Sequence, residues 1–137
     1  MTQLLADTSV WVEYLRGGPD TASGRIVSRA LRDGTLLMCG PIAAELLAGT
    51  SARDRESLAA TLLGIGWIDI GRSDWVAVGR LAAALRDVGA TVPLTDLEIA
   101  VAAMSAGAEL LTRDSDFDRI VAVDSRLVLA DPSAAGA

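Results

Sequence analysis

Short apolar runs that alternate with longer amphipathic segments constrain the fold of this chain more than any other feature. Each apolar run is long enough for a buried strand but too short for a helix, and each amphipathic segment has apolar residues at helical spacing. Strands separated by helices are typical of an α/β domain with a mainly parallel sheet covered on both faces. The predicted strands are Leu4–Ala6, Leu36–Cys39, Trp67–Ile70, Glu109–Thr112 and Leu127–Leu129, and the predicted helical segments are Ser9–Leu15, Thr21–Leu31, Pro41–Leu47, Arg53–Leu63, Ser73–Asp87, Thr95–Ala106 and Asp116–Ile120.

The length of 137 residues suits a single domain. No repeat or linker divides the chain, so we assign residues 1–130 to one domain and residues 131–137 to a short C-terminal tail. In open parallel sheets, ligands bind outside the carboxyl ends of the strands. We therefore expect a functional site at that edge.

The sequence contains no histidine and no lysine, and Cys39 is its only cysteine. Without histidine, a Ser-His-Asp triad and imidazole metal ligands are excluded. Without lysine, a P-loop lysine and a Schiff base are excluded. A lone cysteine excludes an internal disulfide and a structural zinc site. Any catalysis must therefore depend on carboxylates.

The 18 acidic and 12 basic residues, all of the latter arginine, give a formal net charge of −6. This sign argues against a nucleic-acid partner, because the phosphate backbone attracts basic proteins. The start of the chain lacks the basic and apolar regions of a signal peptide, and no stretch approaches the roughly 20 apolar residues of a membrane span. These features predict a cytoplasmic protein.

Several acidic residues occupy unusual positions. Asp7 follows the first strand in an otherwise uncharged segment, Glu45 lies in an apolar helix, and Asp96 begins another. A charge that is buried without a partner is costly, so a charge in such surroundings usually has a partner or a function. Asp114 and Asp116 follow the fourth strand, where both can reach its carboxyl edge.

One site at the carboxyl edge accounts for these acids together. Clustered carboxylates repel each other and are stable only with protons or cations. Oxygen ligands select hard cations such as Mg²⁺ and Mn²⁺, which engage substrate phosphates. The pattern therefore indicates metal-assisted phosphodiester hydrolysis.

Each acid also has a purely structural interpretation. Asp7 can cap a helix, Asp96 can interact with a helix dipole, Glu45 can pair with an arginine, and Asp114 can stabilise a turn. In addition, the Thr95-x-x-Glu98 spacing predicts a capping box.

The motifs that contain these acids resemble those of PIN-domain ribonucleases, specifically the VapC toxins of bacterial toxin–antitoxin pairs. The resemblance covers nearly the whole chain and follows the family's order. The similar segments are Leu5–Trp11 with its Asp-Thr-Ser motif, Pro41–Gly49 around Glu45, Thr95–Ala103 around Asp96, and Leu111–Phe117 around Asp114.

The resemblance implies a three-layer α/β/α sandwich and an endoribonuclease that depends on Mg²⁺ or Mn²⁺ and inhibits translation by cutting tRNA or another structured RNA. It also implies a homodimer that a cognate VapB antitoxin neutralises, with the antitoxin's C-terminal segment over the acidic site. The residues it carries over as catalytic and metal-binding are Asp7, Glu45, Asp96 and Asp114, with Asp116 as a further metal ligand and Thr112 or Ser9 as hydrogen-bonding groups.

Two other functions compete with this one. Phosphoaspartyl enzymes also have acidic Mg²⁺ pockets, but they use a lysine that this chain lacks. The other alternative is a catalytically silent PIN-like scaffold that acts through protein partners. Separately, Arg25, Arg29 and Arg32 share one helical flank, which is either a solvated face or a binding surface for RNA phosphates or antitoxin carboxylates.

Overall fold

Four short parallel strands form the centre of the protein, which we describe from a computed structural model covering residues 1–133. The strands are β1 (Leu4–Ala6), β2 (Leu36–Cys39), β3 (Gly66–Ile68) and β4 (Glu109–Leu111). Their order in the sheet is β3-β2-β1-β4, with Leu5 paired to Leu37 on one side and to Leu110 on the other. All residues of β1 and β2 are buried, as expected for a parallel sheet with both faces covered.

Seven helices surround this sheet within residues 1–133. The chain first builds the sheet from β1 through β2 to β3, and then crosses back to place β4 on the other side of β1. Because crossover connections are right-handed, this reversal places the later helices on the opposite face and confirms the three-layer α/β/α fold. The helices are α1 (Thr8–Gly17), α2 (Ala22–Asp33), α3 (Gly40–Ala48), α4 (Ala52–Leu63), α5 (Arg72–Asp87), α6 (Leu94–Ala106) and α7 (Asp116–Val123), and a 3₁₀ turn at Gly18–Asp20 joins α1 to α2.

Helix α6 forms the centre of the second helical layer. It packs against α5 and α7 as well as against β3 and β4. Leu97 and the whole run from Ile99 to Ala103 are buried, and a helix that is apolar on all sides belongs in a core. Its alanines allow close approach of the surrounding elements, so α6 is fixed firmly in the fold.

The end of the chain differs from the prediction. Helix α7 continues beyond Ile120 to Val123, and the predicted strand Leu127–Leu129 is wrong because only one bridge, between Leu110 and Leu129, forms. Asp124 ends α7 by accepting hydrogen bonds from the backbone and side chain of Arg126. This turn leaves too little extended chain for a regular strand. Residues 134–137 of the predicted tail lie outside the described residues.

Among residues 1–133, each helix is too short or too polar to cross a lipid bilayer.

The sheet core should dominate the stability of the protein. Leu110 is fully buried, whereas Leu63 is 73% exposed at the end of α4. We expect Leu110→Ala to lower the free energy of unfolding in urea by about 2–5 kcal/mol, and the matched control Leu63→Ala to change it by less than about 0.5 kcal/mol. Equal losses for the two variants would contradict this description of the core.

Candidate active site

The loops that follow β1 and β4 meet at the carboxyl edge of the sheet. The two strands are neighbours although they are far apart in the sequence, and the Asp7 backbone N–H donates to the Leu111 carbonyl at 3.0 Å. The chain reverses its direction of sheet building at β1, and ligands bind at such a switch point in open α/β sheets. The fold therefore places Asp7 beside the segment that begins at Thr112.

Asp7 is buried, with only 4% of its surface exposed, and it is the N-cap of α1. One carboxylate oxygen accepts hydrogen bonds from the Ser9 hydroxyl at 2.6 Å and the Val10 backbone N–H at 3.2 Å. The other oxygen accepts from the Thr112 hydroxyl. Three donors thus compensate the burial of this charge. The predicted capping role is confirmed, and Asp7 lies at the carboxyl edge as well.

The loop after β4 is held by successive hydrogen bonds. The Thr112 hydroxyl donates to Asp7 and accepts from the Asp114 backbone N–H at 2.9 Å. The Asp114 carboxylate in turn accepts from the Asp116 backbone N–H, also at 2.9 Å. Both carboxylates are partly buried. Thr112 therefore links the two loops and fixes the position of Asp114.

Asp96 reaches the same place from the first turn of α6. The predicted capping box of Thr95 and Glu98 is wrong, because α6 begins one residue earlier, with Pro93 as its N-cap and no side-chain cap. The Pro93 carbonyl accepts from the backbone N–H groups of Asp96 and Leu97. Thr95 is thus the second residue of α6 and cannot act as its N-cap.

Carboxylate oxygens of Asp96, Asp114 and Asp116 lie within 4.8 Å of one another. We call these three residues the acid cluster. The sequence offers two acids after the fourth strand, Asp114 and Asp116, and the structure brings both of them to Asp96. The pKa of Asp96 is raised to about 6, first by burial and then by the negative charges of Asp114, Asp116, Asp7 and Glu45, in that order.

Glu45 lies at the periphery of this arrangement. It is exposed on α3 and accepts a hydrogen bond from the Thr8 hydroxyl at 2.9 Å. Thr8 directly follows Asp7, so the start of α1 connects both acids. Thr8 was not identified from the sequence as part of the site. Its position directly after Asp7, with a hydroxyl that can donate a hydrogen bond, is the sequence feature that could have indicated it.

Little positive charge balances the acid cluster. Arg119 lies 3.8 Å from Asp116, which is a long ion pair. Arg113 stands between Thr112 and Asp114 in the sequence, but its side chain turns away and pairs with Glu13 at 2.7 Å. The nearby Cys39 adds no nucleophile, because burial raises the pKa of its thiol to about 11. The site consists of carboxylates and hydroxyls.

A divalent cation fits this set of donors. All three residues of the acid cluster offer carboxylate oxygens, and the charges of Asp114 and Asp116 add to the effect of burial in raising the pKa of Asp96. A cation among them relieves the repulsion between these charges, and hard oxygen ligands favour Mg²⁺ or Mn²⁺. Asp7 and Glu45 are near enough to add their negative charge to the same field.

Comparison with known proteins identifies the family. The PIN domain model matches residues 4–123. Ribonuclease VapC11 of Mycobacterium tuberculosis and VapC ribonuclease Mb1587 of Mycobacterium bovis are each 34% identical over 125 residues, which is 88% of this chain and 92% of the relative. The chain therefore belongs to the PIN domain family, and its relatives include VapC ribonucleases.

A solved structure supports the fold independently. The DNA-bound VapBC complex of Salmonella typhimurium contains a chain that superposes with a TM-score of 0.78 and 21% identity, over 96% of this chain and 99% of that one. At this identity the likeness concerns the fold, and it agrees with the three-layer architecture described above.

The raised pKa of Asp96 makes stability without metal depend on pH. An acid whose pKa is higher in the folded state than in the unfolded state favours folding when protonated, so stability falls as pH rises from about 4 to about 6. At pH 7.5 in EDTA, Asp96→Asn should therefore stabilise the protein by about 1 kcal/mol, allowing for partial exposure, or roughly 3–5 °C in Tm.

The matched control is Asp118→Asn, which removes an exposed acid from the same helix as Asp116. Calorimetry should show no comparable gain for this control, and the gain for Asp96→Asn should shrink towards pH 4. A destabilised Asp96→Asn protein at pH 7.5 would contradict the repulsion inferred here.

Proposed function

We propose that this chain is a metal-dependent endoribonuclease that hydrolyses RNA phosphodiester bonds. The observation that carries the proposal is the convergence of Asp96, Asp114 and Asp116 within 4.8 Å at the carboxyl edge of the sheet. The ribonuclease names of its mycobacterial relatives support the same activity. Hydrolysis by carboxylates and a cation also agrees with a sequence that has no histidine or lysine.

The proposed metal ligands are the acid cluster together with Asp7 and Glu45. When bound, Mg²⁺ or Mn²⁺ supplies a water of lowered pKa and neutralises charge that develops on the phosphate. Within the chain, Thr112 and Ser9 hold the Asp7 carboxylate in a fixed orientation through their hydroxyl groups. The Asp114 carboxylate is similarly oriented by the Asp116 backbone N–H.

The protonation state of Asp96 sets a pH requirement for this site. Because its pKa is about 6 in the absence of metal, Asp96 carries its proton in acidic solution and must lose it to act as a ligand. The proposed activity should therefore decline below about pH 6.

We expect products with a 5′-phosphate and a 3′-hydroxyl, since water rather than the RNA 2′-hydroxyl attacks.

The proposed substrate is single-stranded or looped RNA, with tRNA or another structured RNA as the target whose cleavage stops translation. We propose that the chain acts in the cytoplasm as a toxin, as a homodimer and in a complex with a VapB-type antitoxin. The likeness to chains from VapBC complexes supports a partner of this kind. A C-terminal segment of that antitoxin would cover the acid cluster.

Cleavage of RNA tests the proposal directly. The purified chain with Mg²⁺ or Mn²⁺ should cut RNA, and EDTA should abolish cleavage until the metal is restored. Asp7→Asn and Asp96→Asn should each reduce the rate by more than about 100-fold while the circular dichroism spectrum stays unchanged, because metal ions contribute several kcal/mol to such reactions.

Asp118→Asn again provides the control and should cut at the rate of the unaltered protein. Sequencing of the RNA ends should show the 5′-phosphate. Full activity in Asp96→Asn, or cleavage that EDTA does not affect, would refute the metal-dependent mechanism. No cleavage by the unaltered chain would favour the silent scaffold.

A further inference from the structure

A groove of about 500 Å³ runs along α1 and is bordered by Arg113, the residue before Asp114 of the acid cluster. It adjoins the proposed catalytic site through Ser9, whose hydroxyl donates to Asp7 and accepts from the Arg113 backbone N–H at 3.4 Å. We call it the α1 groove. Its lining includes Ser9, Val12, Glu13, Arg16, Thr21 and Arg113.

Arg113 is held at the inner end of the α1 groove. Its backbone lies between Thr112 and Asp114, while Glu13 on α1 accepts a hydrogen bond from one guanidinium nitrogen at 2.7 Å. The Glu13 carboxylate is mostly covered, whereas the Arg113 side chain remains 58% exposed. A guanidinium has five N–H donors. One contact to Glu13 thus orients Arg113 and leaves donors available to a ligand.

Arg16 supplies a second guanidinium at the outer end. Ser9, Glu13 and Arg16 recur at intervals of four and three residues, which places them on one face of α1. Two helical turns separate Ser9 from Arg16, or about 10 Å along the axis. Arg16 is exposed in the last turn of α1. The α1 groove therefore presents cations in a line that leads away from the acid cluster.

Such a line of cations matches a polyanionic strand. An RNA whose scissile phosphate lies at the acid cluster carries further phosphates on both sides of it. A protein with a net charge of −6 repels that strand unless basic side chains contact the phosphates near the site. Guanidinium groups bind phosphate through paired hydrogen bonds. We propose that Arg113 and Arg16 bind backbone phosphates on one side of the scissile bond; this inference rests on the proposed ribonuclease function.

Two of the three arginines on the flank of α2, Arg29 and Arg32, do not share this location. Arg29 lines a cavity of about 650 Å³ together with Leu4 and Glu109, at the amino ends of β1 and β4. Arg32 is exposed in the last turn of α2, at the same end of the molecule, because α2 leads into the amino end of β2. These arginines lie at the opposite edge of the sheet from the acid cluster. Arg32 is accordingly a matched control.

RNA binding by a cleavage-deficient protein separates binding from catalysis. In the Asp96→Asn background, fluorescence anisotropy would give the Kd of a labelled single-stranded RNA in Mg²⁺ over a range of KCl concentrations. We expect Arg113→Gln and Arg16→Gln each to weaken binding about tenfold and to lower the salt slope by about 0.7, the value for one phosphate contact on a single strand. Arg113→Lys should keep the slope because it keeps the charge.

Arg32→Gln should leave both the Kd and the salt slope unchanged. Arg113 and Arg16 variants that bind RNA as Arg32→Gln does would overturn the proposal. Weaker binding to an acidic antitoxin segment with unchanged RNA binding would overturn it as well and would make the groove a protein-docking site. RNA cleavage by the unaltered chain, measured in parallel, shows whether only this inference fails or the proposed function fails with it.

Discussion

Three carboxylates that repel one another lie together at the carboxyl edge of the sheet, and the proposed activity requires the fold to hold them there. The fold forces Asp96 close to Asp114 and Asp116, with little compensation from Arg119. That proximity requires rigid supports, since mobile loops would separate like charges. The supports are α6, fixed in the core, and the hydrogen bonds of Thr112, which tie the loop after β4 to Asp7.

The acids near the edge are stabilised in different ways. Asp7 is buried, but it accepts three hydrogen bonds, including one from the helix that it caps. Asp96 has a raised pKa because it is partly buried and is repelled by neighbouring carboxylates. Asp7 therefore combines its structural role as a helix cap with its proposed role as a metal ligand, whereas Asp96 is costly to the metal-free fold. A residue that destabilises its own protein is a candidate for function.

The sequence predicts much of this arrangement and misses parts that depend on three-dimensional contacts. The alternation of apolar runs and amphipathic segments predicts the parallel α/β fold, and isolated charges in apolar segments single out Asp7, Glu45 and Asp96. The capping box at Thr95 is wrong because Pro93 starts α6 earlier. The bond between Thr8 and Glu45 joins residues 37 positions apart, and the pairing of Arg113 with Glu13 joins residues 100 positions apart. Local patterns carry no information about such pairs.

Anomalous diffraction from a crystal of the protein soaked in Mn²⁺ tests directly whether the acid cluster binds a metal ion. Manganese scatters anomalously, so the measurement locates the ion without reference to activity. We expect a strong anomalous peak at bonding distance from carboxylate oxygens of Asp96, Asp114 and Asp116. A crystal at neutral pH with no peak at these residues, or with its only peak elsewhere, would show that the acid cluster is not the metal site.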